Sequence, residues 1–328
     1  MPCFFIDVFR YFVFIGINHF FKKPHPYRIL ILIVYNGKKP KETISMDTAI
    51  TKRGLNGFQL KYIALVCMVF DHIHYFFPEH TPVVFSMIGR LAAPLFLFCL
   101  IEGFVHTKNR KRYILVIYLI SVAMGLIRFS FYNVAAPLVR HDGFFPENAM
   151  LSSFSILLIV LQGIAWCGER KLHVGIPAIV IPVIWPFLLA GLFHATGNSS
   201  AAGFFLNLLS FSFLPSWLWI ADGGMWALIT GVVLYLTRRN RLLQAVTFVI
   251  TSLMLGIIPL FIMAGSLSGA GPVSPFRLLL DYYEWMNVFA VIPILLYNGE
   301  KGKGNKKLFY WFYPAHIYLL YALSWLFY

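Results

Sequence analysis

Runs of about 20 apolar residues, the length a helix needs to cross a bilayer, alternate along this chain with short basic connectors, and that leaves few folds open. The run Phe58–Phe77, FQLKYIALVCMVFDHIHYFF, is of spanning length yet carries Asp71 and His72 side by side. A carboxylate at such depth costs about 2.5–3.5 kcal/mol even on insertion-derived scales. It therefore turns inward, finds a partner and counts as a functional candidate.

Composition agrees with the pattern. Hydrophobic residues make up 59% of the 328 and charged ones only 12%, against about 25% charged in a soluble domain. The expectation is an all-α polytopic transmembrane helical bundle in a lipid bilayer. A net charge of +14 would suit nucleic acid, but the Lys and Arg residues lie between apolar blocks, where topology alone places them. No nucleic-acid partner is expected. Cys3, Cys67, Cys99 and Cys167 are far apart without metal-ligand spacing, so no metal is expected either.

Beyond Met46 the apolar blocks predict about nine spans of membrane length. They are Phe58–Phe77, Val83–Val105, Tyr113–Tyr132, Met150–Cys167, Val174–Phe193, one crossing near Leu218–Leu236, Leu242–Met263, Leu278–Tyr297 and Phe309–Phe327. Pro177, Pro182 and Pro186 interrupt the fifth and call for compensation by packing neighbours. Connectors 106–112, 168–173, 237–241 and 298–307 hold 13 Lys and Arg, while the opposite connectors hold two, Arg140 and Arg277. This asymmetry puts the basic set in the cytoplasm. That orientation places Asp71 and His72 in the outer part of the membrane. Met1–Ser45 differs in texture and reads as an atypical extension. An alternative is translation from Met46, since Lys41-Glu42 can be encoded AAGGAG, a ribosome-binding sequence. The remaining residues, 46–328, form one membrane domain.

Asp71 and His72 are neighbours on one helix and splay by about 100°, so each should meet a different helix. Arg90, several residues in from the same turn, is the natural partner of Asp71 in an up-down hairpin; a structural ion pair explains the two as well as a catalytic role does. His72 and His316 can each accept and return a proton. His316 follows Pro314 in FYWFYPAH, where a helix break is expected, and is the strongest single candidate. Glu102 and His106 sit one turn apart at the other end of the second span. Arg110, Lys111 and Arg112 could hold the phosphates of an acyl donor, although the basic-connector rule already accounts for them. Asp281, Glu284 and Asn287 read most simply as a solvated acidic face. No Walker A loop, GxGxxG, HExxH or GxSxG is present, which leaves ATP-driven, dinucleotide-dependent and zinc-protease chemistry without support.

Three segments together resemble the TraX family of membrane proteins associated with acetylation of conjugative pilin. They are LKYIALVCMVFDHIHYFF (60–77), IGRLAAPLFLFCLIEGFVHTKNRKRYIL (88–115) and IPILLYNGEKGKGNKKLFYWFYPAHIYLLYAL (292–323). The resemblance implies an integral membrane acetyltransferase that uses acetyl-CoA as co-substrate. By the same resemblance the acceptor is the N-terminal amine of a pilin subunit. The matching positions are Asp71, His72, Arg90, Glu102, Tyr313 and His316; from the chemistry of these side chains, and not from the resemblance, His72 or His316 is expected as base and Arg90 or Tyr313 as the group facing the oxyanion. Two other classes remain open: O-acetylation of a cell-surface glycan or lipid, and a non-enzymatic component of pilus or conjugation machinery.

Overall fold

The computed structural model describes residues 54–134, 136–147, 149–197, 200–220, 223–267, 279–304 and 306–328, with side chains for all of these except 136, 259–267 and 306–308. Met1–Ser45, Met46, Asp222, Arg277 and the side chains of Lys306 and Lys307 lie outside the described residues. Those that are described form helices and tight turns, with no strand among them and a single parallel bridge between Leu55 and Tyr297.

Helix α1, Gly57–Phe76, starts at a capping box: the Asn56 side chain accepts from the Phe58 and Gln59 amides while Gln59 accepts from the Asn56 amide. Two amides that begin the helix are thereby satisfied. It stops at Phe77 because Pro78 disfavours helical backbone in the residue before it. The predicted second span is two helices, α2 (Val84–Gly89) and α3 (Ala92–His106), broken at Arg90-Leu91. Pro94 explains the break. It has no N–H to give the Arg90 carbonyl, yet it is tolerated in the first turn of α3.

The chain continues through α4 (Arg110–Asn133), α5 (Met150–Gly168), α6 (Leu172–Thr196) and α7 (Ala201–Leu208), which runs into a π-helical turn, Leu209–Phe213. Then come α8 (Gly224–Thr237), α9 (Arg241–Leu267), a 3-10 stretch Tyr283–Ala290, α10 (Val291–Leu295) and α11 (Lys306–Ser324). In α6, Pro186 leaves the Pro182 carbonyl without its helical donor, and the Trp217 indole N–H supplies one at 3.1 Å. This is the neighbour compensation that the prolines call for.

Among the described residues, five helical segments are long and apolar enough to cross a membrane: α2 with α3, α4, α5, α6, and residues Arg241–Ile258 of α9. The other predicted crossings fall on α1 and α11, and on segments shorter or less regular than expected. Helix α8 has 14 residues, about 21 Å, short of the roughly 30 Å hydrocarbon core. Of the predicted span Leu278–Tyr297, the described residues 279–297 form no continuous helix: a helical turn at 279–281 breaks at Tyr282 before the 3-10 stretch and α10.

The main core joins α1, α3, α5, α8, α9 and α10 through Leu60, Ala64, Phe98, Ile101, Leu157, Leu161, Leu234, Phe248 and Ile294. The basic connectors gather at the end where α1 begins. There the Leu55 amide donates to the Leu296 carbonyl, the Gly57 amide to that of Glu300, and the Arg241 guanidinium lies over the Phe98 and Tyr297 rings.

The opposite end is closed by the loop between α4 and α5. Arg140, 4% exposed, reaches bidentately to Asp142 at 2.6 and 2.9 Å and is sandwiched between the rings of Phe144 and Tyr328. Its Nη1 donates to the Phe76 carbonyl at 3.4 Å, where α1 ends. The Tyr321 hydroxyl on α11 accepts from the Arg140 amide and donates to the Leu138 and Phe144 carbonyls. One loop thus grips the ends of both α1 and α11.

Candidate functional site

Two clusters meet beside the last turns of α1. In the first, Asp71 Oδ1 accepts from Arg90 Nη2 and from the Ser86 hydroxyl, each at 2.6 Å. Arg90 Nη1 donates to Glu284 Oε1 at 2.6 Å, its Nε to the Ser86 carbonyl at 3.3 Å, and its Nη2 also to the Ser86 hydroxyl at 3.1 Å. One guanidinium thereby ties α1 to α2 and to the 3-10 stretch. The Asp71–Arg90 pairing expected from their depth is present. These contacts occupy most of the guanidinium's N–H directions, so in this state Arg90 has little left to offer an oxyanion. Glu284, read from sequence as part of a solvated face, is the second acid on Arg90. The signal was an acidic residue opening an apolar segment opposite an in-span arginine.

Gly89 makes the first cluster possible. Asp71 lies directly against its backbone, and a Cβ there would sit 2.6 Å from the Asp71 carboxyl carbon. Gly89→Ala is expected to destabilise the protein by about 1–3 kcal/mol, the usual cost of overpacking. Thermal unfolding in detergent checks it, and wild-type stability in the variant would contradict the close approach.

The second cluster is a histidine pair. His72 Nδ1 and His316 Nε2, from α1 and α11, stand 2.6 Å apart. Their ring planes differ by 11° and their centroids are 4.8 Å apart. That separation is nearly the N···N distance plus one ring radius at each end, so the imidazoles meet edge to edge in almost one plane. This is a well-aligned hydrogen bond and not a face stack. His316 is 7% exposed. Its Nδ1 lies 2.7 Å from the Phe312 carbonyl, and the Phe312 ring runs parallel to it at 5.0 Å. Asp71 and Arg90 act electrostatically on His72 without hydrogen bonding to its ring. The splay of Asp71 and His72 thus sends each to a different helix, as the 100° step requires.

Tyr313 packs edge-on to His316 at 6.0 Å and lies at the seam of two apolar clusters holding Met68 and Phe76. His74 turns away from the pair, toward Thr81 at the end of α1. Glu102 belongs elsewhere. At the basic end of α3 it interacts with the Tyr297 hydroxyl, and His106 Nδ1 is 3.7 Å from its carboxylate. Near it Arg110 covers the Phe104 ring at 4.9 Å, while Lys111 and Arg112 are exposed at the start of α4. The sequence candidates therefore divide into an Asp71–Arg90–His72–His316–Tyr313 site and a separate basic end, about 22 Å apart along the 15 residues of α1 from Gly57 to His72. Among the described residues, no group of three or more His, Cys, Asp or Glu is placed to hold a metal ion.

Comparison with known proteins finds that residues 56–213 match the family model described as TraX protein. The chain is also similar to the probable fimbrial assembly protein FimC, serogroup H1, of Dichelobacter nodosus. The two are 24% identical over 278 residues, which cover 81% of this chain and 94% of the relative. No solved structure matches.

Proposed function

The chain belongs to the TraX family, and from that premise we propose that it is an integral membrane acetyltransferase serving pilus or conjugation machinery. The donor is acetyl-CoA and the acceptor an amine, with the N-terminus of a pilin-like subunit as the family substrate. The observation that carries this reading is the hydrogen-bonded pair of half-buried His72 and buried His316. Two imidazoles brought together from helices 244 residues apart in sequence are suited to accept a proton from an incoming amine and return it to a leaving thiol. Tyr313, beside the pair, carries a hydroxyl of the kind that can donate toward the oxyanion formed at the thioester carbon.

In this proposal the phosphates of acetyl-CoA sit at the basic end, near Arg110, Lys111 and Arg112, on the cytoplasmic face of the inner membrane. The thioester then reaches along roughly 20 Å of α1 to the histidines. The name of the Dichelobacter nodosus relative, a probable fimbrial assembly protein, supports the pilus connection. Acetyl transfer from labelled acetyl-CoA, measured in proteoliposomes with and without envelope extract, tests the reading. Label recovered on a pilin N-terminus is the expected result. Label on a glycan or lipid would replace the acceptor, and no thioester consumption under any condition would overturn the enzyme reading in favour of a non-catalytic assembly component.

A further inference from the structure

We infer that the histidine pair is a directional relay in which His72 Nε2 is the basic atom and His316 is a positioning residue. The direction follows from one fixed end. The Phe312 carbonyl can only accept, so at 2.7 Å His316 Nδ1 must donate to it. A neutral imidazole has one N–H, which leaves His316 Nε2 as a lone pair. That lone pair faces His72 Nδ1 at 2.6 Å in nearly one plane, so Nδ1 of His72 carries its hydrogen. The remaining lone pair of the system is then on His72 Nε2. A backbone carbonyl in α11 thus sets the tautomer of a ring in α1, as outer partners do for metal-bound and catalytic histidines.

The assignment rests on the acetyl-transfer reading only for the identity of the proton's source. In that reaction the acceptor nitrogen bonds to the thioester carbon, the C–S bond breaks, and the amine proton moves to His72 Nε2 and from there to the departing sulfur. No other reactant is needed. While His72 holds the proton, its Nδ1–H bond to His316 Nε2 becomes charge-assisted and stronger. The pair therefore stabilises the charged intermediate without a carboxylate on either ring, and Asp71 keeps its oxygen for Arg90 and Ser86. His316, the leading sequence candidate for the base, has no free basic nitrogen in this arrangement.

Nitrogen NMR of the full-length protein, labelled at its histidines and held in nanodiscs at mildly alkaline pH, tests the relay apart from catalysis. His72→Gln and His316→Gln spectra assign the two rings. Expected are Nδ1–H, bare-Nε2 tautomers for both in the wild type. A His72 protonated at Nε2, or a His316 bare at Nδ1, overturns the relay whatever the activity. The acetyl-transfer assay supplies the second arm. His72→Gln removes the base and should lower transfer by about 10³-fold, within the range for a general base. His316→Gln can place an amide oxygen where Nε2 accepted, and should lose roughly 10-fold, whereas His316→Ala loses about 10². Equal, complete losses in both glutamine variants would make His316 more than a positioning residue. Correct tautomers with no transfer in the wild type would leave the relay standing and remove the proposed reaction.

Discussion

Replacing Arg90 with alanine will lower unfolding stability by about 3–5 kcal/mol, the range for breaking one side of a buried ion pair. Asp71 and Arg90 are each 22% exposed at the side chain, and removing the cation leaves the Asp71 carboxylate relying on the Ser86 hydroxyl. The penalty is the solvation that the carboxylate cannot recover, at least as large as the 2.5–3.5 kcal/mol insertion cost of a charge at mid-bilayer depth if the site lies in hydrocarbon. The reverse change is milder. Asp71→Asn leaves Arg90 with Glu284, which is half exposed, so its cost should stay about 1–2 kcal/mol, that of a weakened charged hydrogen bond. Arg90→Lys falls between the two, because an ammonium on a flexible stem cannot serve Asp71, Ser86 and Glu284 from fixed fork positions. Reversible unfolding in detergent, run on the three variants, gives the order. If Asp71→Asn proved as damaging as Arg90→Ala, Glu284 would not be a second partner.

That centre also shows what could be read in the sequence and what could not. Asp71 and Arg90 lie 19 residues apart across one turn, and a charge inside an apolar run needs a partner at matching depth, so local spacing suffices to pair them. Glu284 is 194 residues from Arg90 and sits in a segment whose composition suggests a regular helix. A 3-10 stretch there turns the acid over the guanidinium, and no hydrophobic period signals that geometry. His72 and His316 each stood out as intramembrane imidazoles, but which helices touch is a matter of packing between α1 and α11, to which periodicity along either helix is blind. Pro94 lies within an apolar run that reads as one unbroken span, Val83–Val105. Its consequence, Arg90 at a break between α2 and α3, becomes clear only when the missing N–H is traced to the Arg90 carbonyl. Glu102 matched the family pattern and shares α3 with the core, yet it faces the basic end, since its 12-residue offset from Arg90 spans about 18 Å of helix.

The second large effect is expected at the far clasp. Arg140→Ala should cost about 2–4 kcal/mol, mostly from aromatic contact: the guanidinium lies 3.9 Å from the Tyr328 ring centre and 4.4 Å from that of Phe144. Desolvated cation–π contacts contribute about 1–2 kcal/mol each. The ion pair itself contributes less, because Asp142 is 44% exposed and exposed pairs are worth about 0–1 kcal/mol. Asp142→Ala should therefore be nearly silent where Arg140→Ala is not, and equal losses would show that charge pairing dominates. Acid separates the contributions further. The hydrogen bonds from Arg140 hold the Asp142 carboxyl below the usual carboxylate range, so its share of stability is present above the unfolded carboxylate pKa and is lost as pH falls through the lower folded value. Wild-type stability should decline on that account below roughly pH 4, while Arg140→Ala lacks this component, and the gap between the two narrows in acid without closing. Since the Arg140 side chain also bonds the Phe76 carbonyl at the end of α1 and covers the Tyr328 ring just beyond α11, its removal loosens the ends of the two helices that carry His72 and His316, although the Arg140 amide keeps its bond to the Tyr321 hydroxyl. The nitrogen signals of those rings should then broaden or shift in Arg140→Ala and stay in place in Asp142→Ala, and unshifted signals in both would show that the clasp holds the fold without setting the histidine geometry.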